Sequence, residues 1–118
     1  MYLYKLYGKD NFKPSPQKIK AMQMFQQGRN LDIVASIIGV KKATAEVYVV
    51  DALATGATID HERLAGELCI TSQLFYKCFV KVLPDVSRLR ELKDSIPEAT
   101  YNQIRFVVAC KIRGYIIE

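Results

Sequence analysis

Lys41 and Lys42 stand side by side, Thr44 follows two places on, and Lys18 and Arg29 lie upstream. Ammonium, guanidinium and hydroxyl groups of this kind pair with phosphate oxygens, so the chemistry they offer is contact with a phosphodiester backbone. The other reactive side chains are sparse. His61 sits between Asp60 and Glu62; acidic residues there suit the positive end of a helix, and His61 reads as a surface residue rather than a general base. Cys69, Cys78 and Cys110 are odd in number, widely separated and set among apolar residues. They read as buried, reduced thiols, and together with His61 they lack zinc-ligand spacing. The sequence carries no P-loop, no G-x-G-x-x-G run and no H-E-x-x-H. No enzyme activity, cofactor, metal or small-molecule substrate is therefore expected.

The elements that must position the basic groups are helical. Ser15-Pro16 supplies a cap followed by proline at a first helical position, and Ile19, Met22 and Phe25 recur at helical spacing up to Gly28. Asn30 caps a second helix, Leu31 to Ile38, with Ile33, Val34, Ile37 and Ile38 as its apolar face and Ala35 leaving room for a crossing helix. Gly39 ends it, Val40 anchors the turn, and a third helix runs from about Lys42 to Ala54 with Ala45, Tyr48, Val49 and Ala52 or Leu53 inward. Small residues at a crossing and a glycine in the turn are what a helix-turn-helix requires.

Beyond Gly56, Asp60 caps a helix carrying Leu64 and Leu68. Thr71 or Ser72 opens another with Phe75, Phe79 and Val82, which Pro84-Asp85 breaks. Val86, Leu89 and Leu92 mark a short helix within residues 86–95, and Thr100 with Gln103 forms a capping box for a last helix reaching Gly114. The expected fold is all-α: a three-helix core plus about four further helices. Residues 1–14 read as a basic N-terminal arm or linker and residues 15–118 as one domain. Alternation allows a strand at Tyr2 to Tyr7 and at Tyr115 to Ile117 and nowhere else.

The net charge of +5 is uneven: residues 1–30 oppose Lys5, Lys9, Lys13, Lys18, Lys20 and Arg29 to Asp10, whereas residues 51–70 are acidic. Apolar runs fall far short of the roughly 20 residues that cross a bilayer, and Met1 to Tyr7 lacks the form of a secretory signal. An intracellular setting, nuclear or cytoplasmic, follows as the expectation. The outward positions of the third helix are expected at Ala43, Glu46, Val47, Val50 and Asp51. Such side chains cannot make bidentate base contacts, so any DNA contact rests on phosphates and tolerates sequence. The same face suits a protein partner through Val47 and Val50, which is the alternative function.

From Pro16 to Ile112 the order of features resembles the helix-turn-helix domain at the C-terminal end of Werner-type and other RecQ helicases. The matching residues are Phe25-Gln26-Gln27-Gly28, Asp32-Ile33-Val34-Ala35, Gly39-Val40 and Thr44-Ala45. Then come Leu53, Gly56, Ile59-Asp60 and Leu64, and later Leu89 to Leu92, Ile96-Pro97-Glu98 and Tyr101, Ile104 and Arg105. The resemblance implies a non-catalytic accessory module, beside a helicase or another DNA-repair enzyme, that binds DNA with weak to moderate affinity. It implies no unwinding by this chain.

Overall fold

The computed structural model describes residues 15–83 and 88–117. Among them seven helices follow one another: α1 (Pro16–Gln26), α2 (Leu31–Ile38), α3 (Lys42–Ala54), α4 (His61–Glu67), α5 (Ser72–Phe79), α6 (Leu89–Ser95) and α7 (Tyr101–Arg113). The fold is all-α, and Tyr115 to Ile117 forms no strand. The arm at 1–14, with its alternation at Tyr2 to Tyr7, lies outside the described residues, as do the Pro84-Asp85 break and Val86.

Local chemistry sets most of the helix starts. Ser15 Oγ accepts from the Lys18 N–H at 3.2 Å, Asn30 Oδ1 from Ile33 at 2.9 Å, Asp60 Oδ1 from Arg63 at 3.1 Å and Thr71 Oγ1 from Leu74 at 3.1 Å. At α7 the capping box is reciprocal: Gln103 N–H donates to Thr100 Oγ1 at 3.1 Å and Thr100 N–H to Gln103 Oε1 at 2.8 Å. Each such cap satisfies an otherwise orphaned donor and contributes about 1 kcal/mol. Gly39 ends α2 at φ +82°, a left-handed conformation that a side chain resists.

Two apolar clusters share α3. The smaller holds Ala21 and Met24 of α1, Val34 and Ala35 of α2 and Ala45 of α3, with Ile38, Val40 and Tyr48 packed on it. Alanine at three of these positions lets the helix-turn-helix backbones cross closely. The larger cluster joins Val49, Val50, Leu53 and Ala54 of α3 to Ile104, Phe106, Val107 and Val108 of α7, to Phe75 and Cys78 of α5, and to Phe25 and Leu31. The packing of α3 on α7 is the most extensive between any two helices.

That arrangement corrects three sequence expectations. Val50, expected outward, is fully buried, because α7 returns from some fifty residues downstream to pack on α3 in the same cluster. Ile33 and Ile37, expected inward, are 46% and 51% exposed: α2 turns Leu31, Val34 and Ala35 to the core instead. Ile19 likewise stands out of α1 while Ala21 and Met24 go in, since α1 meets α3 along the alanine side.

Arg63 ties the halves together. Its Nη2 donates to the carbonyls of Phe25 at 2.7 Å and Arg29 at 2.8 Å, its guanidinium lies 3.7 Å from the Phe25 ring centroid, and its Nε pairs with Glu67 at 3.6 Å. Glu67 Oε1 in turn accepts from the Leu31 N–H at 2.6 Å. One ion pair on α4 thus bonds a carbonyl in the last turn of α1, a carbonyl of the corner that follows it and the first amide of α2.

Candidate nucleic-acid interface

The five residues expected to meet phosphate are not equally placed. Lys18 is turned inward: its Nζ lies 3.6 Å from Asp51 Oδ2 and 5.9 Å from the Tyr48 ring centroid. It forms one wall of a cleft of about 250 Å³ between α1 and α3, with Ile19, Met22, Tyr48 and Ala52. Burial pushes the Asp51 carboxyl above its ordinary value of 3.8, against the opposing pull of Lys18 and, more weakly, Arg105. Lys18 therefore has an internal partner already. Arg29 is exposed at the corner between α1 and α2, where Nη1 donates to Gln27 Oε1 at 2.7 Å.

Lys41, Lys42 and Thr44 stay together at the start of α3. Lys41 is exposed in extended backbone at the N-cap, makes no capping hydrogen bond and has no ion pair among the described residues. Lys42 Nζ lies 3.6 Å from Asp32 Oδ2, a pair open to solvent on both sides. Such a pair contributes at most about 1 kcal/mol and yields readily to a competing anion. Thr44 is half-buried one turn in, its amide bonded to the Lys41 carbonyl at 3.0 Å.

Past Ala43, no residue of α3 is fully exposed. Val47 is half-buried, and Val50 faces the core rather than solvent. The first turn of α3 is fixed by Asn102 on α7, which is only 9% exposed. Asn102 Nδ2 donates to the Ala43 carbonyl at 3.1 Å and to Glu46 Oε1 at 2.8 Å, while its Oδ1 accepts from Arg105 Nη1 at 2.8 Å. One amide thus satisfies polar groups on both helices.

Sequence reasoning missed Asn102 and Arg63. The signal for Asn102 was its register: with Phe106 and Ala109 it falls on the inward side of α7, where a polar residue needs partners. Arg63 gave no such signal, since its acceptors are backbone carbonyls on another helix.

Cys69 departs from expectation too. It is exposed, at φ +59° in the turn between α4 and α5. Cys78 and Cys110 are buried as expected. Burial pushes the Cys110 thiol up to about 12 and raises Cys78, with Glu98 adding to the effect there. His61 is half-buried, stacked on Tyr115 at 4.7 Å, with Nε2 3.0 Å from the Ile116 carbonyl. Among the described residues no group of histidine, cysteine and acidic side chains is arranged to hold a metal ion, and no helix is long and apolar enough to cross a membrane.

An all-helical fold with a glycine turn between α2 and α3 defines a helix-turn-helix class of protein. A family model described as a helix-turn-helix domain matches residues 17–108, and the chain belongs to that family. Neither the curated proteins nor the solved structures compared with the chain gave a match.

Proposed function

We propose that this chain is a non-catalytic nucleic-acid-binding module that holds phosphates at the start of α3 and tolerates sequence. The observation that carries this reading is that α3, the recognition helix of a helix-turn-helix, has fully exposed residues only in its first turn, beside Lys41 and Lys42, and is buried or half-buried beyond it. Beyond that turn the helix offers no fully exposed side chain to read base edges, whereas two lysines at its mouth suit a backbone. Arg29 and Thr44 are the secondary contacts of this proposal, and Lys18 joins them only by leaving Asp51. The order of motifs that resembles the RecQ C-terminal domain supports a place beside a DNA helicase or other repair enzyme in an intracellular setting, with DNA as the partner.

The test is a binding titration with generic DNA at two salt concentrations. Replacing both lysines, Lys41→Glu with Lys42→Glu, is expected to weaken binding to all sequences about equally. The same change should flatten the logarithmic salt dependence by roughly one unit for each phosphate that is no longer held. Val47→Asp should leave affinity nearly unchanged. Unaltered binding in the lysine variant overturns the reading.

The alternative, a protein-docking module, is favoured by a different pair of residues from Val47 and Val50. With Val50 enclosed, an exposed pair of apolar side chains one turn apart on a single helix is Ile33 and Ile37 of α2. Loss of binding to a purified partner in Ile33→Asp, with DNA affinity unaffected by the lysine change, would put that reading first.

A further inference from the structure

The way α7 lies on α3 bears on which form of nucleic acid fits. A recognition helix reads duplex DNA by inserting its outward side into a groove about 12 Å wide, which requires that side to be bare. Here α7 covers much of α3: Val50, Leu53 and Ala54 are buried in one cluster with Ile104, Val107 and Val108, and Asn102 locks the first turn through Ala43 and Glu46. Because α7 supplies so much of the core, it cannot be moved aside without unfolding the protein. The side of α3 that carries Val50, Leu53 and Ala54 is therefore closed to a duplex groove, which leaves the first turn and the half-buried Thr44 and Val47 to meet nucleic acid.

The same packing brings a second feature to the lysines. Asn102 touches the second residue of α3 from the second residue of α7, so the two helices begin side by side. Tyr101, the first residue of α7, is 42% exposed, and its ring has no aromatic or cationic neighbour among the described residues. Tyr76 is exposed to a similar degree but is used by the fold: its hydroxyl donates to the Ile117 carbonyl at 3.0 Å and its ring meets Phe75 edge-on. Tyr101 has no such task. An unengaged aromatic face beside basic side chains is the arrangement that grips unpaired bases by stacking while lysines hold the backbone. Two acids lie at this surface and both are engaged: Asp32 pairs with Lys42 Nζ at 3.6 Å in a solvent-open contact that a phosphate must displace, and Glu46 accepts from the Asn102 amide, whose oxygen accepts from Arg105.

We propose that the partner is single-stranded nucleic acid, with phosphates on Lys41 and Lys42 and a base stacked on Tyr101. This rests on the phosphate-binding reading above. The experiment is fluorescence anisotropy of the full chain with a labelled oligothymidylate and with a blunt duplex of the same length, for the parent protein, Tyr101→Ala, Tyr101→Phe and the double lysine variant. The expected result is tighter binding of the single strand, weakened roughly fivefold or more by Tyr101→Ala and retained by Tyr101→Phe. The lysine variant should lose affinity for both. Thermal melts check that each variant is folded. Equal or tighter binding of the duplex overturns the single-strand proposal while leaving the phosphate reading intact. A single-strand preference that Tyr101→Ala does not change also overturns it. Binding of neither nucleic acid overturns both.

Discussion

Individual residues here are constrained by backbone geometry and burial more than by reactivity. A Cβ added at Gly39 meets nothing within 4 Å, yet the position sits at φ +82°. Gly39→Val is therefore expected to cost about 1–3 kcal/mol through torsional strain alone, read as a lowered melting temperature with no change in the folded spectrum. Wild-type stability would show that the turn between α2 and α3 is placed wrongly. The cysteines divide by accessibility: in the folded protein a thiol reagent should modify Cys69 alone at neutral pH, and Cys78 and Cys110 only after denaturation. Rapid modification of all of them under native conditions would contradict the burial of Cys78 and Cys110. Asp51 makes a prediction with a definite sign. Its folded pKa is raised by burial, so the folded state holds the proton more tightly, and this group's contribution to stability falls as pH rises from its ordinary value of 3.8. Asp51→Asn removes that dependence. The stability of the variant relative to the parent should climb with pH above that value, measured by urea denaturation across an acidic pH series; a decline would mean that the Lys18 ion pair outweighs desolvation.

At the level of helices, what is legible in the sequence is local, and what is not depends on partners far along the chain. Ser15, Asn30, Asp60, Thr71 and the Thr100–Gln103 pair each cap the helix they are expected to open, because a cap is decided within four residues. Which side of a helix goes inward is decided by what lies against it. Four apolar residues in α2 give two self-consistent faces, and only the position of α1 and α3 selects Val34 over Ile33 and Ile37. Val50 reads as outward for the same reason, since its neighbour α7 is distant in sequence. The lysine pair at the start of α3 is legible; Tyr101 and Asn102 become informative only once α7 lies beside it. Ala35 tests the close crossing directly. It is 5% exposed, among Ala21, Ala45 and Met24, and Ala35→Arg must either part the helices or bury a charge. A loss of roughly 2 kcal/mol or more is expected in chemical denaturation. A variant as stable as the parent would mean that α2 and α3 do not cross there.

For the whole molecule the question is whether the first three helices can stand without the four that follow. We propose that they cannot, and that residues 15–118 act as one folding unit. Were the chain to end after Thr58, the small cluster of Ala21, Met24, Val34, Ala35 and Ala45 would remain, but Phe25, Leu31, Val49, Val50, Leu53 and Ala54 would lose the α7 and α5 side chains that cover them. Burying a Val, Leu or Phe side chain contributes about 1.5–3 kcal/mol, so exposing several exceeds the roughly 5–15 kcal/mol that holds an ordinary domain together. The fragment would also lack Arg63 and Glu67, leaving the carbonyls of Phe25 and Arg29 and the amide of Leu31 without the partners that close the corner between α1 and α2. A polypeptide of residues 15–58 is accordingly expected to show weak helical circular dichroism, no cooperative melt and narrow amide dispersion in its nitrogen–proton spectrum. In the full chain, Val50→Ala should lower the urea midpoint equally for signals from α1 and from α7, because α3 carries the strain to both clusters. A fragment that melts cooperatively, or a full chain whose α1 signals ignore Val50→Ala, would show that the helix-turn-helix core folds on its own and that α7 is an addition to it.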